Sequence, residues 1–216
     1  SMEGFFRKEL FRKKYFSTNH IYLDAFYITK AFERKGWDLE VEEKIIATDK
    51  DNNIVAHEFS DILPDETALE KMHPITVIPH PETDAEKMEM ASELLNGVMP
   101  VKLRGVSYIC ITPWDEIVRY HTVENTYIDL LDRPEFMLAT VNRYNDIYFN
   151  SFKQLEALGL LDTCMHATSL HCTAPYTNAL PEKKSGELYM MKDLWLRCTA
   201  QAFCSCSPET YRDFEL

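Results

Sequence analysis

Residues 100–162, PVKLRGVSYICITPWDEIVRYHTVENTYIDLLDRPEFMLATVNRYNDIYFNSFKQLEALGLLD, followed by HATSLHCTAPYT at 166–177, carry the pattern that decides the fold. An apolar run over Val101 to Ile111 reads as a strand, and Pro113, Trp114 and Asp115 make the loop after it. Asp132-Arg133-Pro134-Glu135 then offers a helix cap with a proline in the first turn, and Met137, Val141, Tyr144, Tyr148, Phe152 and Leu155 continue one apolar stripe down to Gly159. A second short strand, Thr168 to Cys172, closes a strand-helix-strand unit. Such units carry their chemistry beyond the strands' carboxyl ends, which directs attention to residues 112–115 and 171–176.

Outward from this unit, Phe5 to Tyr15 (FFRKELFRKKY) is basic and aromatic and reads as an amphipathic first helix with Phe5, Phe6, Leu10 and Phe11 on one face, or as a membrane-surface or partner helix. Ile21 to Lys35 has apolar residues at helical spacing and stops at Gly36. Between Leu39 and Phe59 the period changes to two, and Asp49-Lys50-Asp51-Asn52-Asn53 supplies the turn of an antiparallel hairpin inserted at residues 39–59. An acidic helix is expected at Asp65 to Met72 and a buried strand at Ile75 to Ile78. Thr83-Asp84-Ala85-Glu86 has the spacing of a capping box at the start of a helix that ends near Gly97. Toward the end, Ala200 to Cys206 reads as a strand, and Ser207-Pro208-Glu209 opens a final helix.

The chain has 216 residues, 45% hydrophobic and 27% charged, which fits one α/β domain over residues 2–216. No apolar run reaches the ~18 residues of a membrane span, and no charged-then-apolar secretory leader is present in these residues, so a cytoplasmic protein is expected. The net charge of −12 opposes binding to nucleic acid or an anionic membrane, because phosphate contacts need clustered cations. With those features, the six cysteines are expected as free thiols or metal ligands.

Several segments carry a family resemblance. Pro100-Val-Lys-Leu-Arg-Gly105, Trp114-Asp115, Asp132-Arg-Pro-Glu-Phe136, Leu158-Gly-Leu-Leu161, His171-Cys-Thr173, Lys192-Asp-Leu-Trp195, Ala200-Gln-Ala-Phe203 and Ser207-Pro208 together resemble the uroporphyrinogen decarboxylase superfamily, most of all a bacterial branch without an assigned activity. The resemblance covers nearly the whole chain, which corresponds to a middle section of the family. It implies a partial (β/α) TIM-type barrel. It also implies either a cofactor-free decarboxylase or a zinc-dependent methyltransferase, with a tetrapyrrole or corrinoid-related small molecule as ligand. The arginine-rich segment with which decarboxylases hold substrate carboxylates has no counterpart in these residues. The expectation is therefore a truncated barrel without decarboxylase activity.

Candidate site residues follow. Phe59-Ser-Asp-Ile-Leu63 is similar to a decarboxylase motif whose aspartate holds pyrrole N–H groups, which makes Asp61 a substrate-binding candidate beside Trp114. Pro113-Trp114 with Tyr120 is similar to a decarboxylase element, one residue longer here, and makes Tyr120 a catalytic candidate. Asp115 is a candidate general acid or base if burial beside Trp114 raises its pKa; it also fits a helix start. His171 and Cys172 offer imidazole and thiolate to Zn²⁺, although neighbours on a strand point to opposite faces. Buried small hydrophobes are the other role open to the cysteines. Finally, four parallel strands leave two open edges, which predicts a homodimer that joins those edges or buries them under the first helix.

Overall fold

The computed structural model describes residues 2–16, 22–47, 55–164, 179–184 and 186–214. It is a mixed α/β arrangement built of short strands. The order is α1 (Met2–Tyr15), β1 (Phe26–Thr29), β2 (Phe32–Lys35), β3 (Glu43–Ile46), β4 (Ala56–Phe59), a 3₁₀ turn at Glu66–Lys71, β5 (Thr76–Pro79), α2 (Pro81–Leu94), β6 (Val101–Arg104) and β7 (Ile109–Ile111). Then come α3 (Pro113–His121), α4 (Val123–Asp132), α5 (Pro134–Ala157), β8 (Leu196–Cys198), a 3₁₀ turn at Gln201–Ser205 and α6 (Pro208–Asp213). β1 pairs parallel with β6 and β7 parallel with β8, whereas β2 with β5 and β3 with β4 are antiparallel. Among the described residues these pairs do not close into a barrel.

The expected strand over Val101 to Ile111 is split into β6 and β7. Between them Val106 forms a parallel bridge with Leu161, through Val106 N–H to Leu160 O at 2.7 Å and Asp162 N–H to Val106 O at 2.9 Å. Gly105 permits this approach, because a Cβ there would lie 2.4 Å from Leu160 O and 2.7 Å from Leu161 C.

Four expectations need correction. The helix expected over Ile21 to Lys35 is replaced, from Phe26 onward, by β1 and β2: aromatic and β-branched residues fill Phe26-Tyr27-Ile28-Thr29, and β6 supplies the pairing partner far along the chain. Gly36 therefore ends no helix. At φ +104° it lets the chain leaving β2 pass Pro74, where a Cβ would sit 2.3 Å from the carbonyl oxygen. The strand expected at Ala200 to Cys206 is the 3₁₀ turn, whose three-residue period turns Ala200, Phe203 and Cys206 toward the same core. Asp132 closes α4 instead of capping α5, with Arg133 N–H bonded to Asp129 O at 2.9 Å. Lastly, α2 starts at Pro81, two residues before Thr83, and Asp84 is diverted to accept the Ala31 N–H at 2.7 Å.

Other expectations match. α5 buries Met137, Val141, Tyr144, Phe152 and Leu155, and Ser207 caps α6 by accepting the Thr210 N–H. The two strands of the hairpin are β3 and β4; its turn, Asp49 to Asn53, lies outside the described residues, as does the expected strand Thr168 to Cys172. α5 joins two buried clusters. One gathers Trp114, Ile117, Tyr120 and Phe136 with the first half of the α5 stripe, and the other gathers Ile109, Ile111 and Leu194 with Phe152 and Leu155.

Gly105→Ala forces backbone apart from backbone, with no flexible side chain to yield, so it is expected to destabilise the protein by about 2–3 kcal/mol. Urea unfolding of wild type and variant checks this; an unchanged midpoint would contradict the bridge between Val106 and Leu161.

Candidate functional site

The parallel register of β7 and β8 sets Ile109 opposite Leu196 and Ile111 opposite Cys198, so both strands end side by side at Thr112 and Thr199. Pro113 occupies the first turn of α3, where its missing N–H costs nothing, and the helix leaves at once. Trp114 is thereby driven inward to 1% exposure. Its ring meets Phe203 edge-on at 4.8 Å and Phe214 at 5.9 Å. A cleft of about 170 Å³ opens there, lined by Trp114, Cys198, Thr199, Phe203, Tyr211 and Phe214 together with Ala200. Asp115, in the first turn of α3, accepts a long hydrogen bond from Thr199 Oγ1 at 3.4 Å and so links the two strand ends. Tyr127 Oη donates to Ala202 O and holds the 3₁₀ turn that forms one wall. The Cys198 thiol is pushed up by burial, then by Cys110 and by the Asp115 carboxylate.

At the opposite end of α3 lies a second polar cluster. His121, 2% exposed, sits between two carboxylates, with Nδ1 3.2 Å from Asp61 Oδ1 and Nε2 2.9 Å from Asp129 Oδ2. Asp61 also accepts from Asn125 Nδ2 at 2.8 Å and from the Leu63 N–H at 3.1 Å. Arg133 donates to Asp129 at 3.1 Å and stacks 4.1 Å over Phe136, whose ring also meets His121 edge-on. Each ring nitrogen of His121 thus faces a carboxylate oxygen, and each carboxylate has further donors of its own. Thr122 supports it: at φ +58° the chain turns sharply from α3 into α4, which brings Asp129 back to His121.

The sequence-derived candidates thus separate into different places. Trp114 and Asp115 come together at the cleft. Asp61 is about one helix length away, bound to His121. Tyr120 is buried in an aromatic cluster, where Trp37 Nε1 donates to its Oη at 3.1 Å and Tyr144 and Tyr148 stack at 4.4 Å. Burial pushes its phenol up, against the opposing hydrogen bond from Trp37, which suits a structural phenol better than a proton donor. His171 and Cys172 lie outside the described residues.

Among the described residues no group of three or more His, Cys, Asp and Glu is arranged to hold a metal ion. Among them, too, no helix is long and apolar enough to cross a membrane.

Sequence reasoning missed Cys198, Thr199, Tyr211 and Phe214 as lining residues, and His121 with Asp129. Pro208 after Ser207 did signal the helix that carries Tyr211. No local pattern links Asp61 to His121.

No protein-family model, curated protein or solved structure matches this chain.

Two outcomes are expected. His121→Ala leaves Asp61 and Asp129 facing each other across a buried gap, so unfolding free energy should fall by about 3 kcal/mol, measured by denaturant titration. A change below about 0.5 kcal/mol, the range of ordinary surface substitutions, would contradict the clasp. Cys198 and Cys204 are both exposed, and Cys198, whose thiol is pushed up, should alkylate more slowly than Cys204 at neutral pH and accelerate as the pH rises above the ordinary thiol range, because the thiolate is the reacting form. Peptide-resolved mass spectrometry with iodoacetamide checks the order; Cys198 reacting first would contradict it.

Proposed function

We propose that the chain is a uroporphyrinogen decarboxylase-like protein, arranged as an arc of a (β/α) barrel, that binds one ring-sized neutral or cationic group at its strand ends and does not decarboxylate uroporphyrinogen. The observation that carries this reading is the aromatic cleft beyond the carboxyl ends of parallel β7 and β8, with Trp114 as its floor. The parallel pairs β1 with β6 and Val106 with Leu161 support the barrel arc.

Size decides the ligand class. An apolar cavity of roughly 150 Å³ holds one benzene, and pockets for drug-sized ligands run from roughly 300 Å³ upward. About 170 Å³ therefore matches a single ring. Charge narrows it further. The lining carries no cation, and Asp115 stands beside Thr199, so an anionic ring is repelled while a cationic one gains from the aromatic faces. The four carboxylate-bearing rings of uroporphyrinogen have no counterpart charge here. Thr199 Oγ1 and Asp115 are the polar groups that would orient a ring's substituent. Asp61, in this reading, is a structural residue of the His121 clasp.

Benzylamine, benzyl alcohol and benzoate share one ring and differ in charge, which makes them suitable probes for calorimetric titration. Millimolar binding of the first two, at least about fivefold tighter than benzoate, is expected, and Cys198→Leu should abolish it by filling the cleft. Preference for benzoate, or binding unaffected by Cys198→Leu, would contradict the site. Coproporphyrinogen formation from uroporphyrinogen above a no-protein control would overturn the proposed lack of decarboxylation.

A further inference from the structure

α1 and α2 each present an exposed outward face among the described residues, and the two faces are opposite in charge. On α1, Met2, Phe5, Phe6, Glu9 and Arg12 turn inward, with Phe5 and Phe6 packed on Phe26 of β1. Leu10 and Phe11 do not join that face, contrary to the amphipathic pattern expected from sequence. Leu10 is 66% exposed, and Phe11, Tyr15 and Phe16 form an outward ring cluster, with Phe11 and Tyr15 centroids 4.7 Å apart. Arg7, Lys8, Lys13 and Lys14 flank it, and α1 as a whole carries five cations against two carboxylates.

α2 is the complement. It buries Asp84 and Ala91 and exposes Glu82, Glu86, Glu89 and Glu93 in a row, beside an apolar line of Met90, Leu94 and Val98 that continues past the helix end. Leu94 is 65% exposed. Lys87 alone opposes the five carboxylates of the helix. Each helix has 14 residues, so the two are alike in length at about 21 Å.

From this complementarity we propose that the chain forms a twofold dimer in which α1 of each copy docks on α2 of the other, the aromatic cluster of α1 covering Met90, Leu94 and Val98 while Arg7 and Lys14 face the glutamate row. The charges name the occupant. A chain of net charge −12 carries in α1 a cationic helix with exposed aromatic residues, the counterpart of its own acidic α2 with exposed Met90, Leu94 and Val98. A twofold axis uses both complementary pairs at once, which closes the assembly and doubles the buried area over a single helix contact. Because its charges lie at the rim of an apolar contact, association weakens as salt screens them, over a Debye length of about 8 Å at physiological ionic strength.

Sedimentation velocity of the whole chain tests this across the micromolar range. Twice the monomer mass is expected for the wild type, with less dimer at high salt. Phe11→Ser with Lys14→Glu, and separately Glu86→Lys with Glu89→Lys, should each weaken self-association at least about tenfold while leaving circular dichroism and melting unchanged, since all four positions are exposed. Mixing the two variants should give a dimer of one copy of each that is tighter than either variant's own, because the unaltered α1 of one copy then meets the unaltered α2 of the other. A monomeric wild type, a dimer untouched by both variants, or a mixture that associates no more tightly than the separate variants would overturn the proposal. So would a wild type that is monomeric in solution and sediments with phosphatidylserine vesicles through α1, since that outcome assigns the helix to a lipid surface.

Discussion

The α5 stripe is the constraint on which the rest of the structure depends. Its first half completes the cluster around Trp114, Tyr120 and Phe136, and its second half completes the cluster under β7, so one helix ties together strand pairs that share no ladder hydrogen bonds among the described residues. Polar side chains of the same helix finish what the short strands leave open. Gln154 accepts the Val77 N–H at 2.9 Å and donates to Ile75 O at 2.7 Å, which gives β5 the two bonds a neighbouring strand's peptide would supply. Arg143 donates to Met72 O from two nitrogens, at 3.2 and 2.7 Å. At the helix end Gly159, with φ +63°, turns the chain so that Leu160 and Asp162 meet Val106. Strands of three or four residues are too short to stand alone, and these bonds explain how they persist as separate pairs.

Much of this was legible in the sequence where the signal is local and periodic. The α5 stripe, the alternating hairpin strands, the short acidic helical segment after Asp65 and the Ser207-Pro208 start of α6 depend on residues near one another, and the structure has them, the acidic segment as a 3₁₀ turn. The errors arose where a distant partner decides. Residues 26–35 have helical spacing, but Phe26 to Thr29 find β6, and a strand's pairing outweighs weak local propensity. Ala200 to Cys206 is too short to separate an apolar strand from a 3₁₀ turn by period alone, and the buried contact of Phe203 with Trp114 settled it.

The two polar sites illustrate the same division. Trp114 and Asp115 could be placed at a strand end from sequence, since a strand, a proline and a helix follow one another there. Their partners Thr199 and Phe203 come from the far end of the chain. Asp61 was singled out by a motif, and its surroundings depend on His121, sixty residues on, which no spacing rule reaches. The geometry divides their roles: α3 presents a ligand-sized opening at its first turn and a closed ion-pair clasp at its last. The clasp fixes the exit of α3 and, through Ile62 and Leu63 N–H groups bonded to Tyr120 O at 2.8 and 3.2 Å, the chain leaving the hairpin. Trp114 is thus held from both ends of its helix.

The central claim is that the cleft forms where two parallel strands end beneath the first turn of α3. Isotope-edited NMR of the labelled protein tests it most directly. The account predicts nuclear Overhauser contacts between backbone protons of the parallel pair at Ile111 and Cys198, together with ring contacts from Trp114 to both Phe203 and Phe214. An antiparallel contact pattern between residues 109–111 and 196–198, or a Trp114 ring without contacts to Phe203, would contradict it.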